Sequence, residues 1–316
     1  MSTQKKFLDI FDDFFMFSGE MVENAGEDNY YGAHDEKSLL LGVFDGCGGL
    51  GAKNYPTFRY NTGAYMASRI VSGAVHDWYH DNHATVWTDG ELLADSINQY
   101  IKKGYAICDS RAKGNSRIRG SMVRDFPTTC AMALAQLGTD CVNVFCMWAG
   151  DSRVYLMDEY GLAQISEDDV EGEDAMSNLY HDGALTNVLS SDGNYVIHYK
   201  LIQITRPTLI FAATDGCFGY VPSPMEFEYM ILRTLAESTK PSLFHEALKN
   251  QIKKYASDDY ALGMAGMYFG DFETMKHYFE NRIKYLENYY INPIENGADR
   301  NELWLSYKAY YERYCQ

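Results

Sequence analysis

Short apolar runs bounded by turn residues dominate the chain up to about residue 270. Longer stretches with helical spacing of apolar residues predict helices at 59–80, 91–112 and 225–255. Residues 5–17 alternate apolar and acidic positions and fit either an opening strand or a short amphipathic helix. Many short strands with helices inserted between them favour an α+β sandwich of sheets and helices. The predicted strands, rich in β-branched and aromatic residues, are 39–44, 128–137, 142–150, 152–157, 196–204, 208–213 and 260–269.

The apolar run that begins at Leu39 reads LLLGVFDGCGGLG and changes character at Asp45. Its first part is typical of a strand covered on both faces, because apolar positions follow one another without alternation. The glycines after Asp45 allow the backbone to turn tightly. Asp-Gly at this point fits an ordinary β-turn, and it equally fits a functional carboxylate delivered to the end of a strand.

Acidic residues recur where other predicted strands begin or end. Taken singly, each has an ordinary interpretation as a hairpin turn or a solvated loop. Their repetition at strand ends favours one acidic site assembled from several turns. The acids concerned are Glu27 and Asp28 before a strand-like start, Asp151 between two strands, Asp215 after the run 208–213, and Asp258 with Asp259 before the last strand.

Composition narrows the classes of partner and compartment. The 316 residues are 46% hydrophobic and 15% aromatic, enough for one sizeable domain with an appendage or for two domains. A net charge of -17 argues against a nucleic-acid partner or an anionic membrane. Seven scattered cysteines without a CxxC pair indicate reduced thiols in a cytoplasm. The acidic N-terminal region does not resemble a signal peptide, and no apolar run is long enough to span a membrane.

Carboxylates with few competing histidines or cysteines at ligand spacing suit hard cations that prefer oxygen ligands, namely Mg²⁺ or Mn²⁺. His76, His80 and His83 have near-helical spacing, but surface histidines are the favoured interpretation. Two such cations about 3.5–4 Å apart can activate a water molecule and stabilise both oxygens of a phosphoryl transfer. The residues themselves therefore indicate a metal-dependent hydrolase, with hydrolysis of a phosphate ester as the natural reaction.

An ordered set of motifs resembles the type 2C metal-dependent protein serine/threonine phosphatases over residues 17–270. That family has two stacked antiparallel β-sheets flanked by helices, with metals in a cleft at one end. The resemblance implies a catalytic domain at 1–270 and a helical, aromatic-rich C-terminal extension at 271–316, where Pro293 and Gly297 separate two helices. The motifs are Glu27-Asp28, VFDGCGG at 43–49, TT at 128–129, AGDSRVY at 149–155, ISEDD at 165–169, LTNVLS at 185–190, AATDGCFGYV at 212–221 and SDDYA at 257–261.

The resemblance also assigns roles, including a two- or three-metal centre whose activated water attacks a phosphorylated protein. Asp45 corresponds to the carboxylate that bridges both metals, and the carbonyl of Gly46 to a ligand of the second. Asp258 is preferred to Asp259 from the alignment of SDDYA. The remaining correspondences are Asp215 and Asp258 as first-metal ligands, Glu27 and Asp28 as the pair at metal-bound water, and Asp151 with Asp215 at a third metal.

Two positions depart from the family pattern. Cys47 replaces the histidine that is the family's general acid, and Glu23 replaces its phosphate-binding arginine. A carboxylate repels phosphate, so another cation has to replace that arginine. The basic stretch 111–125 offers candidates for substrate binding, namely Arg117, Arg119 and Arg124. Loss of general-acid catalysis typically lowers a rate by about 10² to 10⁴ for a poor leaving group.

Three hypotheses follow. The first is a phosphoserine/phosphothreonine phosphatase with reduced activity. The second is a pseudophosphatase that binds a phosphoprotein, with the tyrosine-rich tail docking a protein partner. The third is a redox switch at Cys47 with Cys217, against which ordinary small residues in tight turns are the favoured interpretation.

Overall fold

The computed structural model describes residues 7–112, 125–171, 174–179 and 183–315. Within these ranges all strand pairs are antiparallel and form two five-stranded sheets and one small hairpin, β4–β5. The strands are β1 (Phe11–Gly19), β2 (Asn29–His34), β3 (Ser38–Phe44), β4 (Asn54–Tyr55), β5 (Asn61–Thr62), β6 (Cys130–Leu137), β7 (Val142–Ala149), β8 (Arg153–Asp158), β9 (Gly161–Gln164), β10 (His198–Ile204), β11 (Thr208–Ala213) and β12 (Tyr260–Met267).

Helices cover the outer face of each sheet. The helices are α1 (Gly48–Gly51), α2 (Gly63–Asn82), α3 (Gly90–Ala112), α4 (Asp215–Phe218), α5 (Pro224–Glu237), α6 (Pro241–Tyr255), α7 (Phe272–Leu286), α8 (Asn292–Glu295) and α9 (Arg300–Tyr311). A π-helical turn at Glu287–Ile291 joins α7 to α8. None of these helices, nor any other in the described ranges, has the length and apolar character needed to cross a membrane.

The strand β3 explains why its sequence is apolar without alternation. Leu39, Leu41 and Val43 face the other sheet in a core of small and branched side chains. Leu40 and Phe44 face outwards into the core beneath α2 and α3. The first sheet, ordered β1–β12–β11–β8–β9, and the second, ordered β10–β7–β6–β3–β2, therefore stack with β3 buried on both sides. This confirms the predicted fold of two stacked antiparallel sheets flanked by helices.

Most element boundaries agree with the sequence pattern, and the differences have local causes. Residues 5–17, for which a strand and a helix were both open, contribute the strand β1. Helix α2 begins later than predicted, because residues 54–62 form the small hairpin and the hydroxyl of Thr62 caps the helix through the amide of Tyr65. Asp89 caps α3, accepting from the amides of Glu91 and Leu92. The short strand β9 carried no distinct signal in the sequence.

The C-terminal extension packs on the outer face of the first sheet. Trp304, Tyr307 and Tyr311 of α9 are buried in the same core as Tyr155 of β8 and Phe211 of β11. Only some of its aromatic residues are exposed, Tyr289 and Tyr310 among them. The boundary at residue 270 stays a prediction, while the extension itself is part of the hydrophobic core.

Candidate metal centre

The acidic turns meet at one edge of the sandwich because of strand register. In the second sheet Asn29 pairs with Phe44, which places the start of β2 beside the end of β3. In the first sheet Ala213 pairs with both Arg153 and Leu262. The end of β11 thus lies beside the starts of β8 and β12. The residues just beyond these ends include Asp28, Asp45, Asp151, Asp215 and Asp258.

The turn after β3 holds Asp45 through its backbone. The carbonyl of Asp45 accepts hydrogen bonds from the amide of Thr129 at 2.8 Å and the hydroxyl of Thr128 at 2.6 Å. Gly46 is required here, since a Cβ atom would lie 2.5 Å from the carbonyl oxygen of Ala64. These contacts fix the backbone position from which the carboxylate of Asp45 extends.

Asp28, Asp45, Asp151 and Asp215 form a cluster of like charges. Burial, followed by the charges of Asp28 and Asp215, raises the pKa of Asp45 well above its usual value. Burial and the charge of Asp215 raise the pKa of Asp28 in the same direction, against a hydrogen bond from Thr214. Burial and Asp215 also raise the pKa of Asp151 to about 8. The cluster favours anything that brings positive charge, whether protons or a cation.

Two oxygens of this cluster support a cation in particular. Oδ2 of Asp28 and Oδ1 of Asp151 are buried, and neither has a hydrogen-bond partner among the described residues. A buried carboxylate oxygen without a partner is costly unless a ligand satisfies it. Carboxylate oxygens are also the donors that Mg²⁺ and Mn²⁺ prefer. The residues present therefore fit the divalent cations that the sequence resemblance implies.

The carboxylates of this cluster lie close together, but they are not arranged as the ligands of a metal ion. Across the described ranges, no three His, Cys, Asp or Glu side chains are grouped in a way that could hold a metal ion as they stand. Like-charged carboxylates repel one another, so their arrangement in the protein alone need not be the arrangement around a cation. Binding would require the carboxylates to reorient towards a common point.

Glu27 lies beside the cluster on a loop that hydrogen bonds from other elements stabilise. The hydroxyl of Thr62 donates to Oε1 of Glu27, and a Cβ on Gly48 would come within 2.4 Å of its Oε2. Burial raises the pKa of Glu27, and the charges of Asp259 and Asp258 add to the rise. Glu27 therefore faces the glycine turn after Asp45.

Asp258 and Asp259 differ in what they contact. The carboxylate of Asp259 accepts from the amides of Met21 at 2.7 Å and Glu27 at 2.8 Å, which ties the Glu27 loop to the start of β12. Asp258 is exposed, and its Oδ1 accepts from the amide of Asp259 at 2.7 Å. The charge of Asp259 also raises the pKa of Asp28. Asp259 has a structural role in this loop, and the choice of Asp258 as ligand stays a prediction.

Cys47 is buried directly beyond Asp45. Its thiol lies 3.9 Å from the carbonyl oxygen of Asp45, and burial, followed by the charges of Asp45 and Asp151, raises the pKa of the thiol well above its usual value. In the protein alone Cys47 is consequently a neutral thiol at physiological pH. Cys217 is also buried, and its thiol donates to the carbonyl of Ala261 at 3.2 Å.

The substrate-binding predictions have separate outcomes. Glu23 is exposed, and Arg117, Arg119 and Arg124 lie outside the described residues. Sequence reasoning missed Arg69 of α2, whose guanidinium donates to the carbonyl of Gly26 at 3.0 Å and whose charge lowers the pKa of Glu27. Its only signal is helical spacing from Thr62 and Tyr65, which is uninformative until the position of Glu27 is known.

The histidines of α2 are surface residues. His76 and His80 are exposed and each contacts the neighbouring aspartate, Asp77 or Asp81. His83 contacts a different carboxylate, that of Asp35. The three do not share a ligand position.

Solved structures show which class of fold this is. No protein-family model matches the chain, and a search of curated proteins finds no match. The fold is that of bacterial serine/threonine phosphatases of the type 2C class, as the sequence resemblance implied. At the identities found, the likeness establishes the fold alone.

Three solved structures illustrate the likeness. The Mycobacterium tuberculosis phosphatase PstP/Ppp is 15% identical with a TM-score of 0.55, over 82% of this chain and 99% of that one. Stp1 of Staphylococcus aureus is 16% identical with a TM-score of 0.58, over 81% and 94%. The PstP catalytic domain in complex with two manganese ions is 16% identical with a TM-score of 0.52, over 82% and 99%.

Proposed function

We propose that this protein is a Mg²⁺- or Mn²⁺-dependent phosphatase acting on phosphoserine and phosphothreonine in proteins. The observation that carries the proposal is the cluster of buried Asp28 with the partly buried Asp45, Asp151 and Asp215, in which two buried oxygens have no hydrogen-bond partner among the described residues. A fold shared with serine/threonine phosphatases supports it, as does the PstP catalytic domain described with two manganese ions. Buried like charges of this kind cluster at functional sites.

In this proposal the carboxylates of Asp45, Asp215 and Asp258, together with the carbonyl of Gly46, would hold two cations. Glu27 and Asp28 orient water beside them, and Asp151 with Asp215 holds a third, weaker ion. Such cations, when bound, activate water and neutralise charge that develops on the phosphate. Bound cations would supply partners for the buried oxygens of Asp28 and Asp151, which have none in the described part of the chain.

The chain's own groups then decide how well each ester is cleaved. A water oxygen forms the new bond to phosphorus while the bond from phosphorus to the serine or threonine oxygen breaks, and the leaving oxygen takes up a proton. Cys47 occupies the position of the family's proton donor, and a thiol is a poorer proton donor than an imidazolium near neutral pH because its ordinary pKa is higher. We therefore expect slow turnover of alkyl phosphates and better turnover of aryl phosphates, whose leaving groups need no proton.

Binding of the substrate phosphate requires a cation in place of Glu23. Arg117, Arg119 and Arg124 remain our candidates, on charge alone. Reversing all three charges should raise KM for a phosphopeptide, and an unchanged KM would end this part of the proposal.

Five buried cysteines among seven free ones support a reducing, cytoplasmic location.

The test is hydrolysis of p-nitrophenyl phosphate and of a phosphothreonine peptide, with Mn²⁺ and with chelator. Wild type should turn over the aryl ester only with metal, and Asp215→Ala should lose that turnover. Glu226→Gln, in the first turn of α5 and in an ion pair with Arg300, is a control for general effects of losing a carboxylate. Absence of metal-dependent turnover on both substrates would refute the proposed phosphatase activity.

A second candidate is a phosphoprotein-binding module that retains the metal site without efficient catalysis. Two replacements favour this candidate. The buried thiol of Cys47 takes the position of the general acid, and the exposed Glu23 takes the position of the phosphate-binding arginine. It predicts Mn²⁺-dependent binding of the phosphopeptide without turnover, measured by isothermal titration calorimetry. The partner-docking role of the C-terminal extension stays a prediction within this candidate, and only its exposed residues are available for it.

A further inference from the structure

A buried arginine stands between the Asp151 turn and the C-terminal extension. Arg153 follows Asp151 by two residues at the start of β8 and is 2% exposed. Its Nε and one terminal nitrogen form a two-point ion pair with the carboxylate of Asp168, at 2.9 and 2.6 Å. This paired geometry fixes the plane of the guanidinium.

Aromatic residues from three elements surround the rest of this guanidinium. It lies 4.3 Å from the centre of the Phe218 ring, in the short helix α4 that begins with Asp215. Its other terminal nitrogen donates to the hydroxyl of Tyr155 at 3.3 Å and to that of Tyr311 at 3.2 Å. Arg153 is thus in contact with both turns that carry candidate ligands of the third metal and with helix α9.

The Asp151 turn itself is held by the residue next to Asp168. Oδ2 of Asp169 accepts from the amide of Gly150 at 2.9 Å, and the amide of Asp169 donates to the carbonyl of Gly150 at 3.0 Å. Gly150 has a positive φ of 93°, which a residue with a side chain rarely adopts. The position of Asp151 therefore depends on the pair Asp168–Asp169, and through Asp168 on Arg153.

We infer that Tyr311 is a positioning residue for the candidate metal centre. Acting through Arg153, it fixes the Asp151 turn relative to Phe218 and the start of α4, and so sets the spacing of the carboxylates of Asp151 and Asp215. The role in catalysis rests on the proposed function, whereas the structural coupling does not. The extension is on this basis an internal support of the site.

A neighbouring tyrosine provides a matched control. Tyr307 and Tyr311 both lie on α9, are 0% and 1% exposed, and donate their hydroxyls to buried groups. Tyr307 donates to Glu228, which is paired with Arg282 away from the Asp151 turn. Tyr311→Phe and Tyr307→Phe therefore remove the same atom from equally buried sites with different connections.

The first readout is hydrogen exchange of the peptide that contains Gly150 and Asp169, measured on the full chain without metal. Loss of one hydrogen bond to a charged group should speed exchange there by roughly fivefold or more in Tyr311→Phe, with no such change in Tyr307→Phe. The second readout is the apparent Kd for Mn²⁺ by calorimetry, which should rise by about the same factor in Tyr311→Phe alone.

Equal effects of the two substitutions, or none on this peptide, would overturn the inference. If wild type lacks phosphatase activity the proposed function fails, and hydrogen exchange still decides on the coupling. If Tyr311→Phe does not fold, Arg153→Lys replaces it, because the ammonium keeps the charge and loses the two-point contact. Faster exchange at Gly150 in folded Arg153→Lys supports the coupling, and unchanged exchange contradicts it.

Discussion

Two regions of this molecule bury charge in opposite ways. In the candidate metal centre Asp28, Asp45 and Asp151 are near one another and near Asp215, and two of their oxygens have no hydrogen-bond partner within the described ranges. Where the extension packs against α5, Glu228 of α5 is fully buried and accepts from Arg282 at 2.7 and 2.8 Å and from Tyr307. The second region pairs its negative charge with an arginine of the same chain, whereas the carboxylates of the first lie among like charges that protons or a bound cation would neutralise. That difference separates a structural ion pair from a binding site.

The largest expected effect comes from neutralising Asp45, which should change activity and stability in opposite directions. Asp45→Asn should lower metal-dependent turnover by about 10³-fold, because Asp45 is the proposed bridging ligand and such a ligand would support several kcal/mol of charge stabilisation. In chelator, the same substitution should raise Tm by about 2–4 °C, since it removes repulsion from Asp28 and Asp215. Turnover of p-nitrophenyl phosphate and thermal melts measure the two effects. A lower Tm in chelator would show that the cluster is not strained by its charges.

Neutralising Glu228, the carboxylate paired with Arg282, should lower stability and leave activity nearly unchanged. Glu228→Gln leaves the guanidinium of Arg282 buried without its counter-charge and should destabilise the fold by about 3–5 kcal/mol. Urea unfolding measures this loss, with Glu226→Gln as a half-buried control in the same helix. Turnover per folded molecule should remain near that of wild type. Equal stability losses for the two variants would mean that burial of the ion pair has no special weight.

The pH dependence of stability should distinguish the regions further. Because Asp151 has a folded pKa of about 8 against an ordinary 3.8, the folded state binds its proton more tightly than the unfolded state. Stability in chelator should therefore be greatest near pH 4, fall by several kcal/mol as the pH rises from about 4 to about 8, and level off above that range. The raised pKa values of Asp28 and Asp45 act in the same direction. Urea unfolding at several pH values should show a flatter profile in Asp151→Asn, and an equally steep one would assign the dependence elsewhere.

The sequence predicted much of the fold and the list of acids, for local reasons. The doubly buried strand β3 is visible as an unbroken apolar run, and Asp-Gly turns are visible at the strand ends. The family motifs ordered these turns, and the solved structures confirmed the fold. Whether the assigned ligands bind metal stays a prediction.

What the sequence did not predict are contacts between distant residues. Asp259 accepts from the amide of Glu27 across 232 positions, and Arg153 donates to Tyr311 across 158. Neither pair has a local pattern, because each depends on how whole sheets and helices pack. By composition the tyrosines of α9 fit either packing on the core or docking of a partner, and three-dimensional packing buries Tyr307 and Tyr311.

The smallest expected effect concerns Cys47, which lies in the candidate metal centre at the position of the family's proton donor. Cys47→His places a group with pKa near neutrality beside Asp45, where the thiol has a raised pKa. Turnover of a phosphothreonine peptide should rise by about ten- to a hundredfold, below the usual full range for general-acid catalysis because the imidazole enters a site shaped for a thiol. Turnover of p-nitrophenyl phosphate should change little, since its leaving group needs no proton. Cys47→Ser, matched in size, should gain on neither substrate. Equal gains on both substrates would indicate that the substitution repairs metal binding, and no gain on the peptide would place the limiting defect at the phosphate-binding position that Glu23 occupies.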